Sequence, residues 1–246
     1  MIDILRSEWT KIRSVRSTVW TLAATVGLMV GLSALLSFSV KNVADGPVPG
    51  LQAIAASLQG IMFAQVAIAT LGVLVISSEY RTGGIHTSLM SVPRRMRLLT
   101  GKLVVFGATS LVVSALASAA ALGVGVAFTQ PPALELGEVV RALVGASLYL
   151  TACGLFGLGL GTLVRHTPGA IVAAIALMLV LPQLVNQLPG QWGRLVAEHF
   201  TTNAGLLLVV GEGSDSLSPW GGFGVYLAWV AVATLAGAVL MQRRDA

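Results

Sequence analysis

Three histidines, one cysteine and one Gly-Lys pair are the first places to look for chemistry in this chain. His86, His166 and His199 lie in three different polar connectors, and the HTSL that begins at His86 offers no second ligand at helical spacing, so a metal centre is not expected. Cys153 is the single cysteine, which excludes an internal disulfide or a multi-cysteine metal site. It falls in an apolar run with no histidine to activate it, and is read as a small packing residue. A phosphate-binding loop needs a glycine five residues before its Gly-Lys and a Ser or Thr after it. Gly101-Lys102 follows MRLLT and precedes Leu103, so that cradle is missing. The chain is not expected to be an enzyme, and no cofactor is assigned to it.

The densest polar stretch is EYRTGGIHTSLMSVPRR, residues 79 to 95. Adjacent membrane helices can be joined by a few residues. The connector from 79 to 102 is far longer, and it combines the Gly83-Gly84 pair, a short apolar set (Ile85, Leu89, Met90), the helix-stopping Pro93, and Arg94, Arg95, Arg97 and Lys102. A hinge beside a small apolar face and a cluster of cations is the composition of a docking surface. A solvated basic loop without a partner has the same composition, so both readings stand at this level.

The elements that hold this stretch are written for lipid. Hydrophobic residues make up 55% of the 246 and charged residues only 10%, against about 25% charged in a soluble domain, and mean hydropathy is +0.85. Windows free of Asp, Glu, Lys and Arg, each near the roughly 20 residues that cross a bilayer, occur at 18–40, 51–78, 103–128, 142–164, 167–188 and 223–241. None alternates as a barrel strand would. An all-α membrane protein of six transmembrane helices follows, as one domain over 1–246. No cleavable signal peptide is expected before the first span, because MIDILRSEWTKIRSVR is charged throughout and lacks a cleavage site.

Orientation follows from the connectors. With residues 1–17, 79–102, 165–166 and 242–246 inside, every Lys and Arg of the 15 is cytoplasmic except Lys41, Arg141 and Arg194. The outer side then holds Asp45, Glu135, Glu138, Glu198, Glu212 and Asp215. This positive-inside bias puts both termini in the cytoplasm and accounts for the pI near 10.0 without nucleic acid. Residues 1–17 carry Ile2, Leu5, Trp9 and Ile12 at helical spacing, continued by Val19, as an amphipathic helix in the inner headgroup layer. Gly157 and Gly161 have small-xxx-small spacing for close helix packing, within the chain by default or between two chains. Pro168 suits a first helical turn, while Pro182 should kink the fifth span. The outer connector 189–222 is long enough for an amphipathic or shallowly inserted helix around Trp192, Leu195, Val196, Phe200, Leu206 and Leu207, ahead of a flexible GEGSDSLSPWGG.

The segments EYRTGGIHTSLMSVPRRMRLLTGKLVV and GLFGLGLGTLVRHTPGAIVAAIALMLVLPQLV resemble the permease subunits of ATP-binding-cassette transporters of the type-2 exporter family, closest to small six-span actinobacterial permeases. Glu79, Tyr80, Arg81 and Gly83 carry the most specific part of the likeness. The resemblance implies that 79–102 holds the coupling element for a cytosolic ATPase, with Glu79, Tyr80, Arg81, Thr82, Gly83, Gly84 and Ile85 beginning it and Arg94, Arg95 and Arg97 supporting it electrostatically. It further implies two ATPase copies carrying ATP and Mg, a second permease chain, identical or not, and a bacterial cytoplasmic membrane. The expected activity is outward movement of a hydrophobic or amphipathic compound, such as a drug, antibiotic, peptide or lipid-like molecule. Absence of Asp, Glu, Lys, Arg and His from the six windows agrees with a drive supplied from outside rather than by an ion gradient. The alternative is a membrane assembly or sensory protein that docks a cytosolic partner through the same loop.

Overall fold

The computed structural model describes residues 2–44, 46–82 and 95–243; the side chains of Ile2, Arg81, Thr82 and Arg95 lie outside the description. The described chain is helical throughout its ordered elements: α1 (Ile2–Ser14), α2 (Arg16–Val43), α3 (Gly50–Leu58), α4 (Ile61–Thr82), α5 (Arg95–Thr129), α6 (Leu136–Val164), α7 (Thr167–Ile175), a π-helical turn (Ala176–Val180), α8 (Leu181–Val185), α9 (Gly190–Glu198), α10 (Thr201–Val210) and α11 (Pro219–Arg243). Six helical segments are long and apolar enough to cross a membrane.

α6 is the central pillar. It packs against α4, α5, α7, α10 and α11, and 72% of its apolar window is buried, against 17% for α2. Its sequence explains the position, because the α4–α6 seam is built from residues without bulk. A Cβ on Gly72 of α4 would run into the Gly154 carbonyl of α6, and one on Gly157 into the Ala69 carbonyl of α4. Gly161 lies against Val73 and Ile76, where a Cβ would come within 2.7 Å of the Ile76 side chain. The Gly157–Gly161 spacing therefore serves a contact within the chain, where removing side chains lets dispersion act over backbone surfaces. Cys153 is buried in the same core and accepts from the Tyr226 hydroxyl at 3.2 Å.

α2 has the reverse polarity of a helix in water. It buries Thr25, Met29, Ser33 and Ser37 and exposes Trp20, Leu35 and Phe38. Lipid tails are as apolar as leucine, so large side chains gain nothing by turning inward while small polar ones allow close approach.

Two of the expected spans are interrupted. The second is two helices, α3 and α4, with the break at Gln59 and Gly60; Gly60 rests on α2, its absent Cβ leaving room for the Met29 carbonyl and Ser33. The fifth is α7, the π turn and α8 in series. Pro168 does lie in the first turn of α7, whose N-cap His166 accepts from the Gly169 amide at 3.2 Å.

The π turn and Pro182 act together. Leu181 sends its amide to the Ala176 carbonyl, one residue further back than in an α-helix, and Pro182 has no amide to send. The next two carbonyls receive substitutes from α10: Thr201 donates to Leu177 at 2.7 Å and Thr202 to Met178 at 2.9 Å. In a bilayer such carbonyls must find donors within the protein. The sequence-level kink at Pro182 is thus a helix irregularity stitched to the outer connector.

That connector holds two helices with different environments. α9 exposes Trp192, Leu195 and Val196, as an interfacial helix does. α10 is apolar, too short to cross, and buried against α6 and α11. Between them the Phe200 ring packs at a tilt on Trp229, centroids 5.5 Å apart, and the Trp229 indole donates to the His199 carbonyl at 3.1 Å. Trp229 is therefore a packing residue, as its place inside the sixth span implies.

Candidate functional site

At the end of the molecule that carries the polar connector, four charges from three helices meet. Lys102 of α5 donates to Glu8 of α1 and to Glu79 of α4, both at 2.7 Å. Lys11 of α1 donates to Glu8 at 2.8 Å and to Glu79 at 2.9 Å. The two lysines and two carboxylates alternate, so each charge faces two of opposite sign. The Lys102 side chain is only 1% exposed and that of Glu8 3%. Ions so buried persist only when paired and hydrogen-bonded, and deleting one partner of such a pair costs about 3–5 kcal/mol.

The helices bring these groups together for local reasons. Glu8 and Lys11 lie one turn apart on α1, on the face that also buries Ile12. α1 approaches α5 closely at Gly101, where a Cβ would stand 2.6 Å from the Ile4 side chain. Trp9 points away and is half exposed, as a headgroup anchor should be. Val19 belongs to α2, not to the amphipathic helix. Around Lys11, partial burial lowers the pKa, but hydrogen bonds to Glu8 and Glu79 and their charges outweigh it and hold the ammonium above the usual lysine value of 10.5.

The residues expected from the sequence divide into three groups. Glu79 and Tyr80 are described: Glu79 accepts from both lysines, and the Arg165 guanidinium lies over the Tyr80 ring at 5.0 Å while donating to the Leu240 carbonyl at 3.3 Å. Arg81 and Thr82 continue α4 as backbone, Arg95 opens α5, and Arg97 is exposed on its first turn. Gly83, Gly84, Ile85 and Arg94 lie outside the described residues, as does the short apolar set with Pro93. The stretch from 79 to 102 is therefore not a loop at its two ends: α4 runs on to Thr82 and α5 starts at Arg95. By sequence Lys102 belongs with the loop cations, yet it is a buried structural ion. Glu8 and Lys11 were not expected at the site; their one-turn spacing on an amphipathic helix was the only signal.

Among the described residues there is no grouping of His, Cys, Asp and Glu able to hold a metal. In this arrangement α1, the exit of one span and the start of the next are fastened in one charged knot, at the base of a basic connector. No curated protein matches the chain. The sequence profile of the ABC-2 family transporter proteins matches residues 41–246, covering five of the six spans and the whole polar connector. On that match and the six-span helical fold, the chain belongs to the ABC-2 transporter family and is a multi-pass membrane permease of an ABC transporter.

Proposed function

We propose that this permease is the membrane half of an ATP-driven exporter, and that residues 79–102 take up force from a cytosolic ATPase. In this reading two ATPase copies supply ATP and Mg, a second permease chain completes the pathway, and a hydrophobic or amphipathic compound leaves across a bacterial cytoplasmic membrane. The observation that carries it is the charged knot. A push on the connector reaches α4 through Glu79, α5 through Lys102 and α1 through Glu8 and Lys11 at once. Buried ion pairs resist separation, so the three helices should move as a unit and not bend independently. The stacked Arg165–Tyr80 pair extends the link to α11, whose Leu240 carbonyl Arg165 also holds.

The docking contacts are assigned to Tyr80, Arg81, Thr82, Gly83, Gly84, Ile85, Arg94, Arg95 and Arg97, with Glu79 as their internal anchor. The test is co-reconstitution with the ATPase in proteoliposomes loaded with a fluorescent amphipathic dye. Arg81→Glu or Gly83→Pro should abolish ATP-dependent dye movement while the permease still inserts. Undiminished transport in both, with the ATPase still co-purifying, would remove the coupling role.

A further inference from the structure

The face of α1 turned away from the charged knot is exposed, and its residues follow a definite order around the helix. At about 100° per residue, the bundle side with Ile4, Glu8 and Ile12 gives way to half-buried Leu5 and then to Trp9. Arg13 and Arg6 come next, and only beyond them Thr10, Asp3, Ser14 and Ser7. Trp9 is 53% exposed and stands one turn from each of the two arginines. On the far side the hydroxyls of Ser7, Thr10 and Ser14 turn back to the Ile4, Arg6 and Lys11 carbonyls of their own helix.

The pattern continues past Val15, where the backbone leaves helical geometry for one residue. Arg16 and Trp20 follow one turn apart on α2, and Trp20 is 75% exposed on a helix long and apolar enough to cross a membrane. Arg6, Arg13 and Arg16 are exposed and enter no ion pair among the described residues. Of the two acids of α1, Glu8 is engaged in the knot and Asp3 lies on the serine side. Three uncompensated cations and two exposed indoles thus share one edge of the molecule.

We infer that this edge binds anionic phospholipid of the cytoplasmic leaflet, with lipid phosphates on Arg6, Arg13 and Arg16 and the Trp9 and Trp20 rings among the upper acyl chains. An acidic protein surface would meet its cations on the water side of α1, but that side carries hydroxyls and Asp3, while the arginines border the indoles. A zwitterionic headgroup brings its own ammonium and leaves the three guanidiniums without net compensation. The phosphate of an anionic lipid neutralises a guanidinium and can accept two of its hydrogen bonds. The positive-inside bias puts the edge at the cytoplasmic leaflet, whose anionic lipids attract cations beside a span. The contact belongs to the permease alone and does not rest on the coupling role of residues 79–102.

The experiment places the full chain, without ATPase or nucleotide, in nanodiscs of one fixed mixture of phosphatidylcholine and phosphatidylglycerol. An equal share of brominated acyl chains is put on one headgroup or on the other, and bromine quenches an indole that it touches. The readout is Trp9 in a variant whose other tryptophans are phenylalanine. Should that variant not fold, the difference in quenching between the natural chain and Trp9→Phe reports the same contact. Bromine on phosphatidylglycerol should quench Trp9 more than bromine on phosphatidylcholine, and high salt should shrink the difference. The share of phosphatidylglycerol that gives half of the full quenching should rise about fivefold in Arg13→Gln, the worth of one cation near an anionic leaflet. Arg6→Gln, Arg13→Gln and Arg16→Gln combined should erase the preference, while Arg194→Gln on α9 should leave it intact. Equal quenching from the two headgroups, quenching from neither, or a preference that survives the triple variant would overturn the assignment.

Discussion

The Thr202 hydroxyl donates to the Met178 carbonyl at 2.9 Å, in the place of the amide proton that Pro182 lacks. A helix broken within the membrane is thereby completed by a side chain from a helix that does not cross it. Thr202→Val should lower stability by about 1–3 kcal/mol, the cost of a buried polar group left without its partner. In a Pro182→Ala background, where the amide returns, the same substitution should cost distinctly less. Thermal melting of the four proteins in detergent closes the double-mutant cycle; a coupling energy of zero would show that proline and threonine act independently.

Lys102→Met should detach α1 from the bundle, since it leaves the carboxylates of Glu8 and Glu79 facing each other with only Lys11 between them. Cysteines placed at Ile4 and Gly101, where the two helices touch, report the contact through cross-linking yield. The yield should drop in Lys102→Met and recover in part when Glu8→Gln removes one of the stranded charges. A yield unaffected by Lys102→Met would mean that α1 is held by Ile12 and its apolar neighbours alone.

The Lys11 pKa makes α1 docking pH-dependent in one direction. Because the folded value lies above 10.5, the contribution of Lys11 is complete below pH 10.5 and is lost as pH rises through the raised value. Trp9 fluorescence, on the exposed side of the same helix, should therefore shift in the alkaline range. Lys11→Met should lack that part of the transition and begin from a less stable state. Identical alkaline profiles for the two proteins would rule the linkage out.

Glu198 gives the opposite sign at the other end. Ser216 and Ser214 donate to its carboxylate, and the hydrogen bond from Ser216 is the main reason that its pKa lies below the ordinary 4.5. Its anchoring of the 214–216 turn is present above pH 4.5 and fades as pH falls through the lowered value. Protease cleavage within this turn should rise in acid, and Glu198→Gln should show the acid level of cleavage already at neutral pH.

Gly157→Val should prevent α4 and α6 from closing, because its side chain would enter the Ala69 backbone. Gly123→Ala, which meets nothing within 4 Å, should be tolerated. Detergent-extracted yield and melting temperature separate the two; equal behaviour would show that the seam can relax to admit bulk.

The six crossings were legible because lipid imposes a simple rule, about 20 apolar residues per pass. Gly157 and Gly161 likewise announced a close seam. Sequence could not show which partner each charge would find. Lys102 and Glu8 are 94 residues apart in the chain, and Lys11 and Glu79 are 68 apart. Such pairings depend on helix packing, which single-helix periodicity does not encode. Extending α5 back to Arg95 changed Lys102 from a loop cation into a buried one. Pro182 signalled trouble in the fifth span, but the π turn and its threonine donors appear only once α10 is placed beside it. In hindsight, adjacent threonines at the head of an apolar helix too short to cross were the available sign.

Two ammoniums and two carboxylates sum to zero, so beyond a few ångströms the knot is electrically silent. Ionic strength, which screens exposed charges over a Debye length of about 8 Å at physiological salt, should barely touch it. An exposed cation such as Arg97 has no such shelter. Raising salt would then loosen whatever docks at the basic surface while the clasp behind it stays shut, so grip and transmission can be weakened one at a time.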